Sequence, residues 1–371
     1  MTADPGSLYS FPFMTRLTVQ FLGGLTFVLM FVTPASAQDA PTPTTVPEMW
    51  SAWCARCHAA DGSGKVAVPT VTVEPMDFTD CTVTTPEGDS DWEAVIAKGG
   101  PAVGLSSQMP AFGDFLKPEQ ITEFVAFIKK FCTESGWPSG NLNLPRPLFA
   151  EKAFPENEFI IAPVASHRKG EPTEFELAAI YERRVGRRGQ FEAVLPFGSV
   201  NPAGERNSGM SDMELGFKFA LNPAWSNHLA SAGFDVVVPI GSESRGLGGG
   251  TVVFEPYLST ATVLGSQTYL QTQFKLELPR RRPWADRATV YNIYIGRDVE
   301  LLPSTFTYGV ELNGESDEVA LTPQIRKGLS KSGALAGAFG VRIPLNKRDE
   351  QGVKWLGYLL WEYLEPVRSR R

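Results

Sequence analysis

Residues 267–278 read Gln-Thr-Tyr-Leu-Gln-Thr-Gln-Phe-Lys-Leu-Glu-Leu. Even positions are threonine or apolar, and odd positions are Gln, Tyr, Gln, Gln, Lys and Glu. Side chains of a β-strand alternate between its two faces, so this stretch predicts a strand with one apolar and one polar face. The same alternation predicts about twelve strands in the C-terminal two-thirds of the chain, near 158–166, 174–184, 189–197, 213–221, 230–240, 251–262, 267–278, 288–296, 304–313, 318–326, 333–345 and 353–364.

Strand length and mid-strand charge bear on the architecture. A soluble β-sandwich brings the apolar faces together, whereas a transmembrane barrel turns them to lipid and keeps a polar interior. Most runs have 9–12 residues, which is long for a sandwich and close to what a tilted strand needs to cross a bilayer. A dry core could not hold the charges at mid-strand, namely Lys218, Asp235, Glu255, Lys275, Arg326 and Arg342. We therefore expect an antiparallel β-barrel of about 12 strands over 156–371, with the sandwich as the alternative.

The expected connections are longer on one side of the barrel than on the other. Those after odd strands include 241–250 and 279–287, and those after even strands include 185–188 and 264–266. This difference is typical of outer-membrane barrels. An even strand number would bring both ends of the barrel to the periplasmic side, so we expect the preceding domain there.

Charge divides the chain upstream of the barrel from the barrel itself. Residues 38–150 carry 14 acidic and 7 basic side chains, whereas 151–371 carry 26 of each. Pro138, Gly140, Pro145 and Pro147 cannot continue a helix, so 137–155 reads as an extended linker. The basic run at 183–188 is interpreted as a solvated turn or a lipid-headgroup contact, with docking of an acidic domain as the alternative.

The segment 53–58 reads Trp-Cys-Ala-Arg-Cys-His and contains C-x-x-C-H, the pattern of covalent haem attachment. Two thiols three residues apart lie on one helical face, where each can add to a haem vinyl group. The adjacent His58 then provides the proximal iron ligand. Half of a zinc site and a thioredoxin-like pair are the alternatives. The chain has only three histidines and no second C-x-x-C, and no βαβ pattern surrounds the motif.

A low-spin haem iron needs a second axial ligand, for which a methionine thioether is the usual soft donor. The candidates are Met49, Met76 and Met109. Pro110 would hold Met109 extended in a loop, which favours Met109. The stretch 118–131 has apolar residues at helical spacing and predicts a closing helix.

Cys81 and Cys132 remain outside the motif. In an oxidising compartment, two remaining cysteines in one small domain favour a disulfide, with two free buried thiols as the alternative.

The order of attachment helix, Met-Pro loop and closing helix over 47–134 resembles class I c-type cytochromes. The resemblance implies Cys54 and Cys57 as thioether sites of one covalent haem c, with His58 and Met109 as its axial ligands. The C-terminal part resembles the outer-membrane barrel family of the meta pathway of phenol degradation and related transporter-like barrels. The whole chain is similar to cytochrome–porin proteins that carry electrons across outer membranes. It departs from them in strand number and in the surroundings of the attachment site, so ferrous iron as electron donor does not follow.

The first residues predict export. Arg16 precedes an apolar run, 17–32, and Pro34-Ala35-Ser36-Ala37 supplies a cleavage site of the A-x-A kind. The sequence thus predicts a signal peptide at 1–37, although Met14 could be the true start and a membrane anchor helix is the alternative. A Pro/Thr spacer, 38–47, and an all-α cytochrome domain, 48–136, follow.

Composition excludes several classes of function. The net charge of −7 argues against a nucleic-acid partner, and no set of catalytic side chains can be argued from the 371 residues. We expect an electron-transfer protein and no enzyme, located in the outer membrane with its haem domain in the periplasm. Its expected partners are outer-membrane lipid and a periplasmic or extracellular redox partner. The alternatives are a porin for small solutes with a tethered cytochrome serving a periplasmic dehydrogenase, and a soluble periplasmic carrier with a β-sandwich domain.

Overall fold

Two parts follow one another along the chain, a small helical domain and a closed β-barrel. The structure is a computed structural model that describes residues 42–201, 204–221, 227–265, 267–281, 286–301 and 304–363. The expected signal peptide at 1–37 lies outside the described residues, as do the first four residues of the spacer. From Pro43 onward the chain forms one compact unit.

The helical domain is built from short helices around an apolar core. They are α1 (Val46–Met49), a π-helical turn (Trp50–Cys54), α2 (Ala55–His58), α3 (Cys81–Thr84), α4 (Asp89–Lys98) and α5 (Pro118–Ile128), with 3₁₀ turns at Gly100–Val103, Lys129–Phe131 and Gly140–Leu142. The closing helix is confirmed as α5, in which Pro118 occupies the first turn. Its apolar face packs on Trp50, Phe78 and Trp92.

The barrel strands follow the predicted alternation. They are β1 (Glu158–His167), β2 (Glu174–Val185), β3 (Gly189–Val200), β4 (Asn207–Met210), β5 (Met213–Ala220), β6 (His228–Val238), β7 (Val253–Val263), β8 (Thr268–Pro279), β9 (Ala288–Leu301), β10 (Ser304–Glu315), β11 (Glu318–Gly328), β12 (Leu335–Pro344) and β13 (Val353–Glu362). A short helix, α6 (Arg348–Gln351), lies in the last loop.

Antiparallel pairing closes the sheet. Each strand pairs with its neighbours in sequence, and β1 pairs with β13, with Glu158 opposite Glu362. The short β4 and the following β5 both lie along β3, so the two form one interrupted strand. The result is a closed barrel with twelve strand positions, because β4 and β5 share one of them. This confirms the prediction of about twelve strands.

The two faces of the barrel wall confirm the barrel over the sandwich. Apolar side chains face outward and stay exposed, among them Phe217, Leu258, Phe274, Ile325, Phe339 and Leu359. Charged side chains predicted at mid-strand are buried inside, including Lys218, Asp235 and Glu255. A sandwich would have buried the first set between two sheets, so this inverted pattern is that of a barrel surrounded by lipid. No helix in the part of the chain that the structure describes is long and apolar enough to cross a membrane.

Candidate haem site

The C-x-x-C-H motif lies on one continuous helical stretch. Cys54 ends the π-helical turn, and Cys57 and His58 lie on α2, which is followed by Ala59 with a positive φ of 62°. Both motif thiols are free and half-buried. Burial, and secondarily the neighbouring Cys57, raises the pKa of Cys54 to about 11, so Cys54 remains a protonated thiol at neutral pH.

The imidazole of His58 sits in an aromatic pocket. Its ring stacks on Phe78 with 4.7 Å between centroids and lies 6.1 Å from the ring of Trp50. Burial lowers the pKa of His58, which keeps the ring neutral. The neutral imidazole is the form that binds a metal.

Two buried indole nitrogens in this core fit a haem. Trp50 Nε1 and Trp92 Nε1 have no hydrogen-bond partner among the described residues, whereas His58 lies within hydrogen-bond reach of the backbone of Met76. Buried donors without partners are uncommon and indicate a group that would satisfy them. The carboxylates of a haem would accept from these indole N–H groups, and the imidazole of His58 would ligate its iron, so the side chains present agree with the motif.

Met109 ends a tight loop beyond α4. Its backbone accepts a hydrogen bond from Gly100 N at 3.0 Å and donates one to the carbonyl of Ser106 at 3.2 Å. A Cβ on Gly100 would lie 2.2 Å from the carbonyl oxygen of Ser106, so only glycine allows this close approach. The local sequence thereby fixes the loop that presents Met109.

Gln108 holds the Met109 loop in place, and the sequence analysis missed it. Its amide donates to the carbonyl of Thr70 at 2.6 Å and accepts from the backbone N–H groups of Thr72 and Val73 at 2.9 and 3.1 Å. These bonds fasten the Met109 loop to the 70–76 segment. A glutamine in a loop gives no sequence pattern that reveals such partners 35–38 residues away.

The distal ligand stays a prediction. Met109 is half-buried, but it is not among the described side chains that pack on the core around Trp50 and Phe78. Met76 packs on that core and follows the segment that Gln108 holds. Both thioethers therefore belong to neighbouring loops, and Met76 is the competitor of Met109.

Cys81 and Cys132 are joined by a disulfide, with the sulfur atoms 1.99 Å apart. The bond ties the start of α3 to the residue after the last turn of the closing helix. Asp80 caps α3 by accepting from Thr82 N at 2.9 Å. The disulfide and the cap thus fix the start of α3, close to Phe78 in the chain.

The helical domain contacts one mouth of the barrel, where β2 ends. Arg187 donates to the carbonyl of Ser135 at 2.7 Å and pairs with Glu134 at 3.4 Å. The guanidinium of Arg184 donates to the carbonyl of Thr82 and lies 5.0 Å from the ring centroid of Trp137. For these two arginines the expected solvated turn or lipid contact is not what the structure shows. They bind the acidic helical domain, which was the alternative interpretation of the basic run.

The expected linker is not a free spacer. Residues 142–157, here called the luminal segment, lie inside the barrel. Leu142, Ala153 and Phe154 are fully buried against wall residues that include Leu229 and Tyr294. The expected extended linker at 137–155 contains a 3₁₀ turn at Gly140–Leu142 and bends further on, and its location in the lumen was not expected.

Side chains of the barrel wall satisfy the backbone of the luminal segment. Gln271 donates to the carbonyl of Pro145 at 2.8 Å, and Gln324 accepts from Leu148 N at 3.1 Å. Glu311 accepts from Phe149 N and Ala150 N. Because a segment without secondary structure cannot satisfy its own buried backbone, these bonds determine where it lies.

Buried ion pairs also hold the luminal segment. Lys218 of β5 donates to Glu151 at 2.7 Å and to the carbonyl of Lys152 at 2.6 Å. Arg146 pairs with Glu182 of β2, and the Tyr358 hydroxyl donates to the carbonyl of Arg146 at 2.7 Å. The segment is therefore a fixed part of the barrel interior.

At its start the luminal segment is tied to the helical domain. Asn141 accepts from Asp89 N at 2.7 Å and donates to the carboxylate of Asp89 at 2.8 Å. Asn143 donates to the carbonyl of Pro86 at 3.3 Å and accepts from Lys152 at 2.9 Å. Hydrogen bonds thus link the helical domain to the luminal segment.

Comparison with known proteins agrees with this geometry for the first part of the chain. Residues 41–128 match the family model described as cytochrome c oxidase, cbb3-type, subunit III. The helical domain is cytochrome-like. The matched family implies haem, and the motif residues lie inside the matched range.

Solved structures similar to the chain include outer-membrane porins and a channel. An outer membrane channel from Pseudomonas putida F1 is 13% identical with a TM-score of 0.41, over 59% of this chain and 100% of that one. The KdgM porin in complex with disordered oligogalacturonate is 11% identical with a TM-score of 0.38, over 55% and 99%. The NanC porin is 7% identical with a TM-score of 0.40, over 56% and 100%. A search of curated proteins found no match.

Proposed function

We propose that the protein is a single-haem c-type cytochrome that is anchored in the outer membrane by its own barrel and transfers single electrons at the periplasmic mouth of that barrel. One observation supports this most directly: a domain with a haem-attachment helix packs on the mouth of a closed barrel whose outer wall is apolar. Neither part alone would combine a redox group with a membrane.

The residues of the helical domain suit an electron carrier. When bound, haem c supplies a one-electron iron couple. Cys54 and Cys57 would attach it, and His58 with Met109 would be its axial ligands. Trp50 and Phe78 bury the imidazole and keep water from it. With both axial positions taken by the protein, a substrate has no open position at the metal, so we propose a carrier and no enzyme.

The barrel suits an anchor. Its full-length strands have eight to fourteen residues. At about 3.3 Å per residue most of them cover the roughly 30 Å of a bilayer's hydrocarbon core after tilting. The exposed apolar wall would contact lipid. Both barrel ends lie at the mouth that holds the helical domain, because β1 starts and β13 ends there.

The lumen argues against a resting solute porin. The luminal segment packs on wall residues from strands around the barrel, including Gln271, Glu311 and Tyr358. Solute passage would require that these bonds break. The porin alternative is therefore the second outcome of the test and not the proposal.

The test uses liposomes that contain the full-length protein with the helical domain outside. A membrane-impermeant electron donor outside the liposome should reduce the haem. An electron acceptor enclosed inside the liposome should stay oxidised. Reduction of the enclosed acceptor would instead show transfer across the membrane. A variant with Cys54→Ser and Cys57→Ser should lose the signal of haem reduction.

Permeability is measured in the same liposomes. We expect low conductance and no sugar flux for the wild type. Conductance should rise when residues 144–154 are replaced by a Gly/Ser segment, which removes the bonds to the wall. Wild-type liposomes that pass sugars as freely as this variant would favour the porin and contradict the proposed role of the barrel.

A further inference from the structure

Three carboxylates meet where the luminal segment touches the barrel wall. Glu151 belongs to the luminal segment, Glu182 to β2 and Glu192 to β3. One oxygen from each lies within 4.8 Å of the other two. Calcium binds oxygen at about 2.3–2.6 Å, so ligands on opposite sides of the ion are roughly 4.6–5.2 Å apart. The three oxygens can therefore bind one ion.

Two of these carboxylates have oxygens without a partner. Glu182 is fully buried; its Oε1 accepts from Arg146, but its Oε2 has no hydrogen-bond partner among the described residues. Oε2 of Glu192 is likewise buried and accepts from no donor in that part of the chain, and the Glu192 and Glu182 carboxyl groups lie within hydrogen-bond distance of each other. An ionised carboxylate oxygen left in this state is costly. A cation or a proton has to be supplied there.

The surrounding charges do not balance. Arg146 faces Glu151, Glu158 and Glu182, and Lys218 faces Glu151. Lys152 pairs with Glu156 and Glu158. Among these direct partners and Glu192, five carboxylates face three cationic side chains, while Lys275 and Arg326 act on Glu151 and Glu158 and Asp235 adds another carboxylate near Glu151. One divalent cation would reduce the like-charge repulsion among the three glutamates.

We propose that Glu151, Glu182 and Glu192 bind one divalent cation of the calcium type, which fastens the luminal segment to β2 and β3. The ligand atoms are all carboxylate oxygens, which suits calcium or magnesium and not the softer metals that take nitrogen or sulfur. Calcium also accepts irregular geometry, as expected of ligands from a loop and two strands, whereas magnesium demands a near-ideal octahedron. Shared protons between the carboxyl groups are the competing explanation.

A second cluster, Glu214, Asp235 and Glu255, brings its oxygens equally close. Lys275 pairs with Glu255 there, and none of its three carboxylates has a buried oxygen without a partner among the described residues. It therefore carries no proposal.

The test is calcium titration of the full-length protein, refolded in detergent and freed of metal by chelation. We expect one calcium ion per chain by calorimetry, with an increase in the urea midpoint of the barrel. Glu192→Gln should weaken binding by roughly tenfold or more, the scale seen when metal-site residues are lost. The same change should raise the midpoint without calcium, because it removes like-charge repulsion. A purely structural glutamate would not show these opposite effects.

Glu311→Gln is the matched control. Glu311 is also a buried luminal carboxylate beside the luminal segment, but both its oxygens accept hydrogen bonds. Its variant should bind calcium as the wild type does. A wild type that binds no calcium overturns the proposal and assigns protons to the cluster, and so does a Glu192→Gln variant that binds normally. Glu182→Gln provides the same measurement if Glu192→Gln does not fold.

Discussion

The helical domain and the barrel use apolar side chains in opposite ways. In the helical domain Trp50, Phe124 and Ile128 are buried, and the motif residues lie on a helix at the edge of that core. In the barrel Phe217 and Leu359 are exposed, whereas Lys218 and Glu311 are buried. The first part is stabilised by apolar burial in water. The second places its charges inside, so it depends on partners that lie inside as well.

This difference has a consequence for how each part responds to substitution. Haem attachment in the helical domain depends on six contiguous residues, 53–58, so one change there should remove function without unfolding the rest. In the barrel, a charge in the lumen is paired with a residue far away in sequence, such as Glu151 with Lys218 or Glu182 with Arg146. A change there should destabilise the fold first.

The largest expected effect concerns the attachment motif. Replacing Cys54 and Cys57 by serine should abolish covalent haem, because no thioether can form. Haem-dependent peroxidase staining after denaturing electrophoresis measures this. The barrel of the variant should still migrate as a folded species before heating, since the motif lies outside it.

The matched control removes the other two cysteines. A Cys81→Ser and Cys132→Ser variant should retain covalent haem while its helical domain unfolds at lower urea concentration. Haem that stays bound to the Cys54/Cys57 variant through denaturation would refute the assignment of the motif.

The next effect concerns the distal ligand. Met109→Ala should abolish the near-infrared sulfur-to-iron absorption of the oxidised protein, because the loop held by Gly100 and Gln108 would no longer present a thioether. Met76→Ala should leave that band in place. The reverse result would assign the ligand to Met76, whose side chain packs on the core around Trp50.

The sequence was sufficient where partners are neighbours in the chain. Cys54, Cys57 and His58 are adjacent, and the alternation of β8 needs no information beyond its own residues. The closed barrel of about twelve strands also followed, because strand length and mid-strand charge together favour a barrel over a sandwich.

The sequence was not sufficient where partners depend on register. Nothing in 142–157 says that Gln271 and Gln324 will satisfy its backbone, because those residues become neighbours only after the barrel closes. The prolines indicated extended chain and were interpreted as a spacer. Gln108 was missed because its partners lie 35–38 residues away in the chain. The location of the luminal segment is thus a property of the closed lumen rather than of its own residues.

A third prediction tests the dependence of the lumen on its internal pairs. Lys218→Met removes the close partner of Glu151 and should lower the free energy of barrel unfolding by about 3 kcal/mol, since a buried charge loses its partner. Urea unfolding of the barrel in detergent measures the change. Lys347→Met breaks an exposed pair with Asp317 and should not change the midpoint measurably. Equal effects of the two variants would contradict the view that the lumen, and not the surface, stabilises the barrel.

The smallest effect concerns the junction of the two parts. Burial, together with the nearby Asp91 and Glu156, raises the pKa of Glu87 to about 7, while Lys129 and Lys152 act in the opposite direction. The folded state therefore holds a proton that the unfolded chain releases near its ordinary pKa of 4.5. Stability from this group is complete below that value and is lost as the pH rises through 7.

Between pH 5 and pH 8 the free energy of unfolding of the helical domain should thus fall by about 2–3 kcal/mol from this group alone. Tryptophan fluorescence during urea unfolding of the full chain measures it. The side chain in Glu87→Gln is neutral at every pH. The free energy of unfolding of the wild type minus that of the variant therefore separates the contribution of Glu87 from that of Asp91. If the wild type instead became more stable relative to the variant as the pH rises, Glu87 would be ionised in the folded protein. In that case the effect of Lys129 and Lys152 on the pKa of Glu87 would exceed the effect of burial. The junction would then be stabilised by charge pairs, as the lumen is, rather than by apolar burial, as the helical domain is.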